Sequence, residues 1–424
     1  MTRNDTTGRT RRTVLKATGG LAASGLVGVA GAHPSSGDGG EAHSEGLRPF
    51  SEQAVDGALE AVTQKNYAYV ATGSGMAVVD WRNPRRPELV ATLDADDPAG
   101  GILDVKVDGD LASLASNGGP GITLVDVSDP TAPRELAFHD AGHSVHNSFL
   151  ADGYAYLTIN ESDENAFSEA RTDVVDVRDP TSPEKVGEFR LADHFPEFAA
   201  AGVNPCHDVY VQDDRLYQAF WDAGVVVADI SDPSDPTLVT QFGDAPGADT
   251  PQPEEFPLER YLTRPGNAHY VQPSPDGRHV YVGAETFPGD HVENPDNDDY
   301  GGIRVFDTSD LDEPRQVARI EPPEVDGFRT SHNFDVTNNR LHASWYAGGV
   351  TIHDVADPAA PEEQGHYAAE GSSFWTAVRA RGFTVASDIG GGLVFLHADR
   401  GEGQPPAFDG GGTPGDPGMG ATDD

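Results

Sequence analysis

Residues 122–138 read ITLVDVSDPTAPRELAF, and this stretch decides the fold. An apolar strand ends in Asp126, a Ser-Asp-Pro turn follows, and a second proline precedes the next short strand. Aspartate closes such turns with its side chain, whereas proline fixes φ and removes a backbone donor. The phrase therefore predicts two strands joined by a tight turn.

The same phrase recurs along the chain, mostly at spacings of about 45 to 50 residues. Its anchoring aspartates are Asp80, Asp126, Asp176, Asp229, Asp307 and Asp354, and His397 takes the equivalent place in a seventh, degenerate copy. Two further strand-like runs precede each phrase, and no stretch has convincing helical periodicity. Seven tandem units of four short strands predict an all-β, seven-bladed β-propeller rather than a β-sandwich.

The ends of the chain differ in composition from the repeats. The seventh unit has three strands, so we expect residues 47–54 to supply its fourth strand and to close the ring, because an unpaired edge would expose backbone donors and acceptors. The propeller is predicted over residues 47–400. Residues 33–46 read as a flexible leader, and residues 401–424 form a Gly/Pro/Asp tail with too little apolar surface to order itself.

One column of the repeat is rich in histidine. Aligned on their first strands, the seven blades carry Leu59, Leu103, His146, His207, His269, His332 and Trp375 at this column. The first strand of a propeller blade lines the central channel, so we expect four imidazoles from consecutive blades to converge at one mouth of the channel. Three blades keep the repeat without the histidine, which indicates that the fold itself does not need it.

Clustered neutral imidazoles are suited to a transition metal. Copper, zinc and iron accept imidazole ligands, whereas calcium and magnesium prefer oxygen. Asn147, Asp208 and Asn333 directly follow three of the histidines. Strand alternation predicts that they face neighbouring strands and act as fasteners between blades.

The second strand of each blade returns to the same face as the histidines. Its end carries Glu285 in blade five, the carboxylate that we predict as a general base or a further ligand. Five further residues are predicted to form walls around a ligand: Trp221, Asp222, Trp345, Trp375 and Asp388.

Several phrases resemble a known family. ITLVDVSDP, VVVADISDP and DVVDVRDP, together with CHDVYV and FWDAGVVVADIS, are similar to the LVIVD-repeat family of exported propeller proteins. The resemblance covers about residues 59–400. It implies a propeller fold, but it implies no single reaction.

The charge balance restricts the partners. Acidic residues number 70 against 28 basic residues, and the formal net charge is -42. Molar salt suppresses the resulting self-repulsion by shortening the Debye length to about 3 Å, so the composition indicates the surface of a halophile. The family resemblance implies the haloarchaeal type. Nucleic acid and anionic membranes would be repelled.

The N-terminal segment predicts export. Residues 10–16, TRRTVLK, match the twin-arginine pattern, and an A-x-A cleavage site follows at residues 30–32. The apolar run over residues 21–29 is too short to span a membrane. We therefore expect a signal peptide over residues 1–32 and a location outside the cell or at its surface. We also expect a monomer.

Three functions are compatible with these observations. In the first, the propeller holds a transition metal or a small ligand at its histidine-lined mouth, as an oxidoreductase or a hydrolase would. In the second, it is a non-catalytic scaffold that binds a surface protein or a glycan. In the third, the histidines only tie adjacent blades together. Metal analysis separates the first function from the other two.

Overall fold

The strands form seven antiparallel sheets, each the blade of a propeller. The computed structural model describes residues 43–96, 100–160, 170–196, 205–243, 267–286, 300–325 and 327–398. The predicted signal peptide and C-terminal tail lie outside these residues. Within them, no helix is long and apolar enough to cross a membrane.

The strands follow the repeat in chain order. Two N-terminal strands are β1 (His43–Glu45) and β2 (Leu47–Ala54). Blade one contains β3 (Ala61–Gln64), β4 (Tyr67–Ala71), β5 (Gly75–Asp80) and β6 (Glu88–Asp94). Blade two contains β7 (Gly101–Asp108), β8 (Leu111–Asn117), β9 (Gly121–Asp126) and β10 (Arg134–Asp140). Blade three contains β11 (Val145–Ala151), β12 (Tyr154–Ile159), β13 (Arg171–Asp176) and β14 (Glu184–Arg190), and a single helical turn, α1 (Leu191–His194), follows it.

The remaining blades have the same order. Blade four contains β15 (Asp208–Gln212), β16 (Arg215–Phe220), β17 (Gly224–Asp229) and β18 (Thr237–Phe242). Blade five contains β19 (Ala268–Pro273), β20 (His279–Ala284), β21 (Ile303–Asp307) and β22 (Arg315–Ile320). Blade six contains β23 (Phe334–Val336), β24 (Arg340–Ser344), β25 (Val350–Asp354) and β26 (Glu362–Ala368). Blade seven contributes β27 (Phe374–Ala380), β28 (Phe383–Asp388) and β29 (Gly392–Ala398).

The N-terminal strand closes the ring as predicted. Strand β2 pairs antiparallel with β29 and becomes the fourth strand of blade seven, with Leu47 opposite Ala398 and Ala54 opposite Gly392. The structure adds a strand that the sequence did not predict. Residues His43–Glu45, assigned to the leader from composition, pair with β26 and give blade six a fifth strand. The N-terminal segment therefore joins two blades.

The aspartates of the repeat phrase close the turn that follows the third strand of a blade. Asp126 accepts a hydrogen bond from the backbone amide of Ser128 at 3.0 Å, and Asp129 accepts one from that of Thr131 at 3.0 Å. The corresponding aspartates of the other five blades with this phrase, Asp80, Asp176, Asp229, Asp307 and Asp354, close the same turn. The side chain thus ends the third strand locally, which confirms the predicted turn.

The apolar core lies between neighbouring blades. One cluster, for example, packs Tyr281 and Val305 of blade five against Phe334 and Trp345 of blade six. The first strand of each blade contacts the first strand of the next in a complete circle, from β3 through β7, β11, β15, β19, β23 and β27 back to β3. These seven strands surround the central channel and carry the histidine column.

Candidate functional site at the channel mouth

Irregular strand pairing occurs at the histidine column in four of the seven blades. In four blades the first strand shifts its register against the second at this column: between Ile102 and Asp104, Val145 and Ser148, Ala268 and Tyr270, and Phe374 and Thr376. The residues left out of regular pairing include Leu103, His146, His269 and Trp375. A bulge bends its strand and re-aims the side chain of the extra residue, and bulges are frequent beside functional sites.

The structure brings the four histidines together in an arc. The ring centroids of His146 and His207 are 4.1 Å apart, those of His207 and His269 are 3.9 Å apart, and those of His269 and His332 are 4.5 Å apart. His269 and His332 are buried, whereas His146 and His207 are partly exposed. The four consecutive blades therefore present a continuous imidazole wall, as the repeat register predicted.

The imidazoles are held neutral. Burial lowers the pKa of His146 to about 4 and that of His332 to about 3. Burial, reinforced by the neighbouring histidines, lowers the pKa of His207 and His269 well below the usual value. Neutral imidazole is the form that binds metals, because it keeps a lone pair on one ring nitrogen.

Hydrogen bonds set the direction of these lone pairs. His332 Nδ1 lies 2.8 Å from the backbone oxygen of Trp375, which accepts its proton and leaves Nε2 with the lone pair. His207 Nδ1 and His269 Nδ1 are buried and have no hydrogen-bond partner among the residues that the structure describes. A buried polar nitrogen without a partner is costly, so two of them side by side indicate a site for a ligand.

Glu285 lies beside the imidazole wall, where the sequence placed it. Its Oε2 is 3.4 Å from His269 Nε2, and its Oε1 accepts a hydrogen bond from the Tyr346 hydroxyl at 2.5 Å. Burial raises its pKa to about 7, although the hydrogen bond from Tyr346 opposes this shift. His207, His269 and Glu285 each offer one ligand atom, and these three atoms lie within 4.8 Å of one another.

Two of the predicted tryptophans flank the imidazole wall. The ring centroid of Trp375 lies 4.4 Å from that of His332, and the centroid of Trp221 lies 5.9 Å from that of His207. Trp375 also packs with Leu103 and Tyr346 in an apolar cluster on the side of the channel where the column has no histidine. The channel mouth is therefore lined by imidazoles on one side and by apolar side chains on the other.

The other predicted wall residues lie elsewhere. Trp345 is fully buried in the core between blades five and six, where its indole nitrogen donates to Thr351 Oγ1 at 2.7 Å. Asp388 accepts a hydrogen bond from the Ser373 amide at 2.8 Å and so fixes the turn that leads into β27. Asp222 is buried in the turn between β16 and β17 and does not line the cavity described below.

Tyr346 is the site residue that the sequence analysis missed as a candidate. Trp345 and Tyr346 follow the last residue of β24; Trp345 packs into the core between blades five and six, and Tyr346 packs with Leu103 and Trp375 at the channel. Tyr346 has φ of 50°, in the left-handed region that is rare for a bulky residue, and its ring lies 4.9 Å from that of His332. An aromatic residue at the end of the second strand was the available signal, but the wrong one of the two was chosen.

A second ring of polar residues lies against the histidines. We call it the oxygen tier, and its members directly follow the column in five blades: Glu60, Asp104, Asn147, Asp208 and Asn333. All five are buried. Asn147 Nδ2 donates to Asp208 at 2.6 Å and Asn333 Nδ2 donates to Glu60 at 2.6 Å, which confirms the predicted fastening between blades.

The expectation that these residues turn away from the histidines is wrong. In blade three, the register shift between Val145 and Ser148 interrupts strict alternation at His146 and Asn147. The oxygen tier and the four histidines line one cavity with Leu103 and Trp375. This cavity is narrow, and it has room for about one water molecule. Its size therefore suits an ion or a very small ligand.

Lys106 extends from β7 to the oxygen tier. Its ammonium lies 3.2 Å from Glu60 Oε1 and forms an ion pair with Asp104. Burial alone would lower the pKa of Lys106, but the Asp104 and Glu60 carboxylates raise it above its usual value. Burial raises the pKa of Glu60, and that of Asp208 well above the usual range, although Lys106 opposes both shifts. The lysine is thus charged and held by carboxylates.

Comparison with known proteins supports the repeat assignment. Residues 62–95, 99–138 and 206–244 match the family model described as the LVIVD repeat. No curated protein matches the chain in sequence.

Two solved structures share the architecture at low sequence identity. The β-propeller domain of Cps50 (Swd1) from Myceliophteria thermophila has a TM-score of 0.55 and 11% identity, and the comparison covers 82% of this chain and 99% of that one. The computationally designed Ika8 protein has a TM-score of 0.51 and 10% identity, with the same coverage of 82% and 99%. These likenesses concern the fold alone, and together with the matched segments they identify the chain as a seven-bladed β-propeller that carries LVIVD repeats.

Proposed function

We propose that this propeller binds a transition-metal ion at the mouth of its channel, through His207, His269 and Glu285. The observation that carries the proposal is the convergence of these three groups, whose ligand atoms lie within 4.8 Å of one another. The Nδ1 atoms of His207 and His269, which have no hydrogen-bond partner among the described residues, support it. Each imidazole can bind a metal through one ring nitrogen and keep its proton on the other.

The donor set limits the metals. Two neutral imidazoles and one carboxylate are the ligands of zinc and iron sites, and imidazole also binds copper. His146 packs against His207, and His332 packs against His269. Either ring is therefore close enough to provide a further imidazole ligand. We propose copper, zinc or iron as the ion.

A metal held by two or three protein groups keeps a position for a small ligand. Such an ion polarises a bound oxygen or lowers the pKa of bound water, which is the basis of hydrolytic chemistry, and copper or iron can also exchange electrons. The narrow cavity and the apolar side formed by Leu103, Tyr346 and Trp375 would admit a small molecule rather than a polymer. We therefore propose a metal-dependent oxidoreductase or hydrolase that acts on a small substrate.

The proposal is tested by metal analysis of the full chain purified in molar KCl. We expect about one equivalent of copper, zinc or iron per chain. His207→Ala and His269→Ala should each reduce the metal content to background, because each removes one of the proposed ligands. Inductively coupled plasma mass spectrometry after gel filtration measures the content.

A matched control is His342→Ala. His342 is a buried histidine of β24 whose Nδ1 contacts Thr384 Oγ1 at 2.8 Å, away from the channel column. It should lose stability but keep the metal. A wild-type chain without bound metal, even after incubation with each ion, would contradict the proposal and favour a non-catalytic scaffold that binds a protein or a glycan.

Tyr346→Phe provides a second prediction for the same site. The Tyr346 hydroxyl donates to Glu285 Oε1 at 2.5 Å and so orients the other oxygen towards His269. Removing this bond should weaken metal affinity by about 10- to 100-fold, as is usual when a partner of a metal ligand is lost. Competition with a chromophoric chelator measures the affinity. Equal affinity in the variant and the wild type would show that Tyr346 does not position Glu285.

A further inference from the structure

The oxygen tier contains more acidic groups than cations among the residues that the structure describes. Glu60, Asp104 and Asp208 are at most 4% exposed, and Lys106 pairs with Glu60 and Asp104. A buried carboxylate is costly to ionise without a cation beside it. A bound cation would therefore stabilise the ionised form of these groups.

Two amide oxygens of the tier also lack a hydrogen-bond partner in the part of the chain that the structure describes. Asn147 Nδ2 and Asn333 Nδ2 are committed to carboxylates, and this fixes which way each amide faces, because a carbonyl oxygen could not donate to Asp208 or Glu60. The remaining oxygens, Asn147 Oδ1 and Asn333 Oδ1, are buried without a hydrogen-bond partner among the described residues. Both residues line the cavity, together with Asp208 and Glu60.

Carboxylate and amide oxygens in one cavity match the ligands of a hard cation. Ca²⁺ takes several oxygens from carboxylates, amide carbonyls and water in flexible geometry. A divalent ion would also stabilise the ionised form of the buried carboxylates. The imidazole wall on the other side of the cavity offers nitrogen, which suits softer ions.

We propose that the oxygen tier binds a divalent cation of the calcium class, through Glu60, Asp208 and the Oδ1 atoms of Asn147 and Asn333. This subsite is separate from the proposed transition-metal site and does not depend on it, since the two share no ligand. The channel mouth then presents two sets of cation ligands of different chemistry, one of nitrogen and one of oxygen.

Terbium luminescence tests this proposal. Tb³⁺ replaces Ca²⁺ in oxygen sites and emits when a nearby tryptophan is excited, and Trp375 lines the same cavity. The full chain is treated with a chelator, transferred to molar KCl and titrated with Tb³⁺. We expect sensitised emission that saturates at one ion per chain and is displaced by Ca²⁺.

Variants locate the subsite. Asp208→Asn and Asn333→Ala should each weaken Tb³⁺ binding by about tenfold or more, because each removes a ligand. Asp173→Asn is the matched control: Asp173 is a buried carboxylate paired with Arg171 and Lys185 outside the channel, so its loss should leave the emission unchanged. Circular dichroism confirms that each variant is folded.

The outcomes separate this subsite from the transition-metal site. His269→Ala should retain the terbium signal, even though it is expected to lose the transition metal. Wild-type-like Tb³⁺ affinity in a folded Asp208→Asn or Asn333→Ala chain, or no saturable emission in the wild type, would overturn the proposal. Neither result would contradict the proposed transition-metal site, which is tested by the metal analysis of the histidine variants.

Discussion

Deletion of residues 43–54 is expected to abolish the cooperative unfolding of the propeller. Strand β2 supplies the outer strand of blade seven, and Leu47 is fully buried between that blade and blade six. Phe50 packs edge-on against Phe383, with ring centroids 5.5 Å apart. Without β2, strand β29 becomes an open edge with exposed aromatic and aliphatic residues, which promotes aggregation. Circular dichroism melts and gel filtration in molar KCl measure the loss.

A shorter deletion serves as the control. Removing residues 43–45 takes away β1, which only extends the outer edge of blade six, and leaves the pairing of β2 with β29 in place. This chain should remain monomeric and melt cooperatively, with a modestly lower melting temperature. If the longer deletion melted like the shorter one, closure by β2 would not be what holds the ring together.

Lys106→Met is expected to destabilise the protein by about 3–5 kcal/mol, because it leaves buried carboxylates without their cation. The Lys106 ammonium contacts both Asp104 and Glu60. Salt screens buried pairs much less than exposed ones, so most of the loss should persist in molar KCl. Chemical denaturation measures the free energy of unfolding.

Lys185→Met is the matched control, since Lys185 pairs with Asp173 and Glu188 but its side chain is 36% exposed. Its loss should cost about 1 kcal/mol or less, as for other exposed pairs. Adding Asp104→Asn to Lys106→Met should restore part of the lost stability, because one of the buried charges is then removed. Equal losses in Lys106→Met and Lys185→Met would contradict a buried ion cluster.

The fold could be predicted because the same strand and turn pattern recurs along the chain. The aspartate turn is a short-range interaction between residues two positions apart, so the sequence predicts it wherever the phrase recurs. The histidine column could be predicted because tandem repeats place equivalent residues in equivalent positions. The pairing of β2 with blade seven followed from counting strands, because a missing strand must come from elsewhere.

The details of the site depended on backbone irregularities that repeat alignment does not show. Regular alternation would separate Asn147 from His146, but the register shift between Val145 and Ser148 places both on the cavity. The left-handed conformation of Tyr346 is likewise a tertiary feature, supported by backbone hydrogen bonds to Phe374 in the next blade. Contacts made across blades decide such conformations, and these are not encoded in one repeat.

The pairing of Leu47 with Ala398 also has a consequence for biosynthesis. A ribosome releases β2 before any blade exists, yet its partner β29 is among the last strands to be made. Strand β2 therefore stays unpaired until translation has almost finished. Completion of the propeller is then a post-translational event with a long-range closing step, and it should be slow compared with the assembly of individual blades.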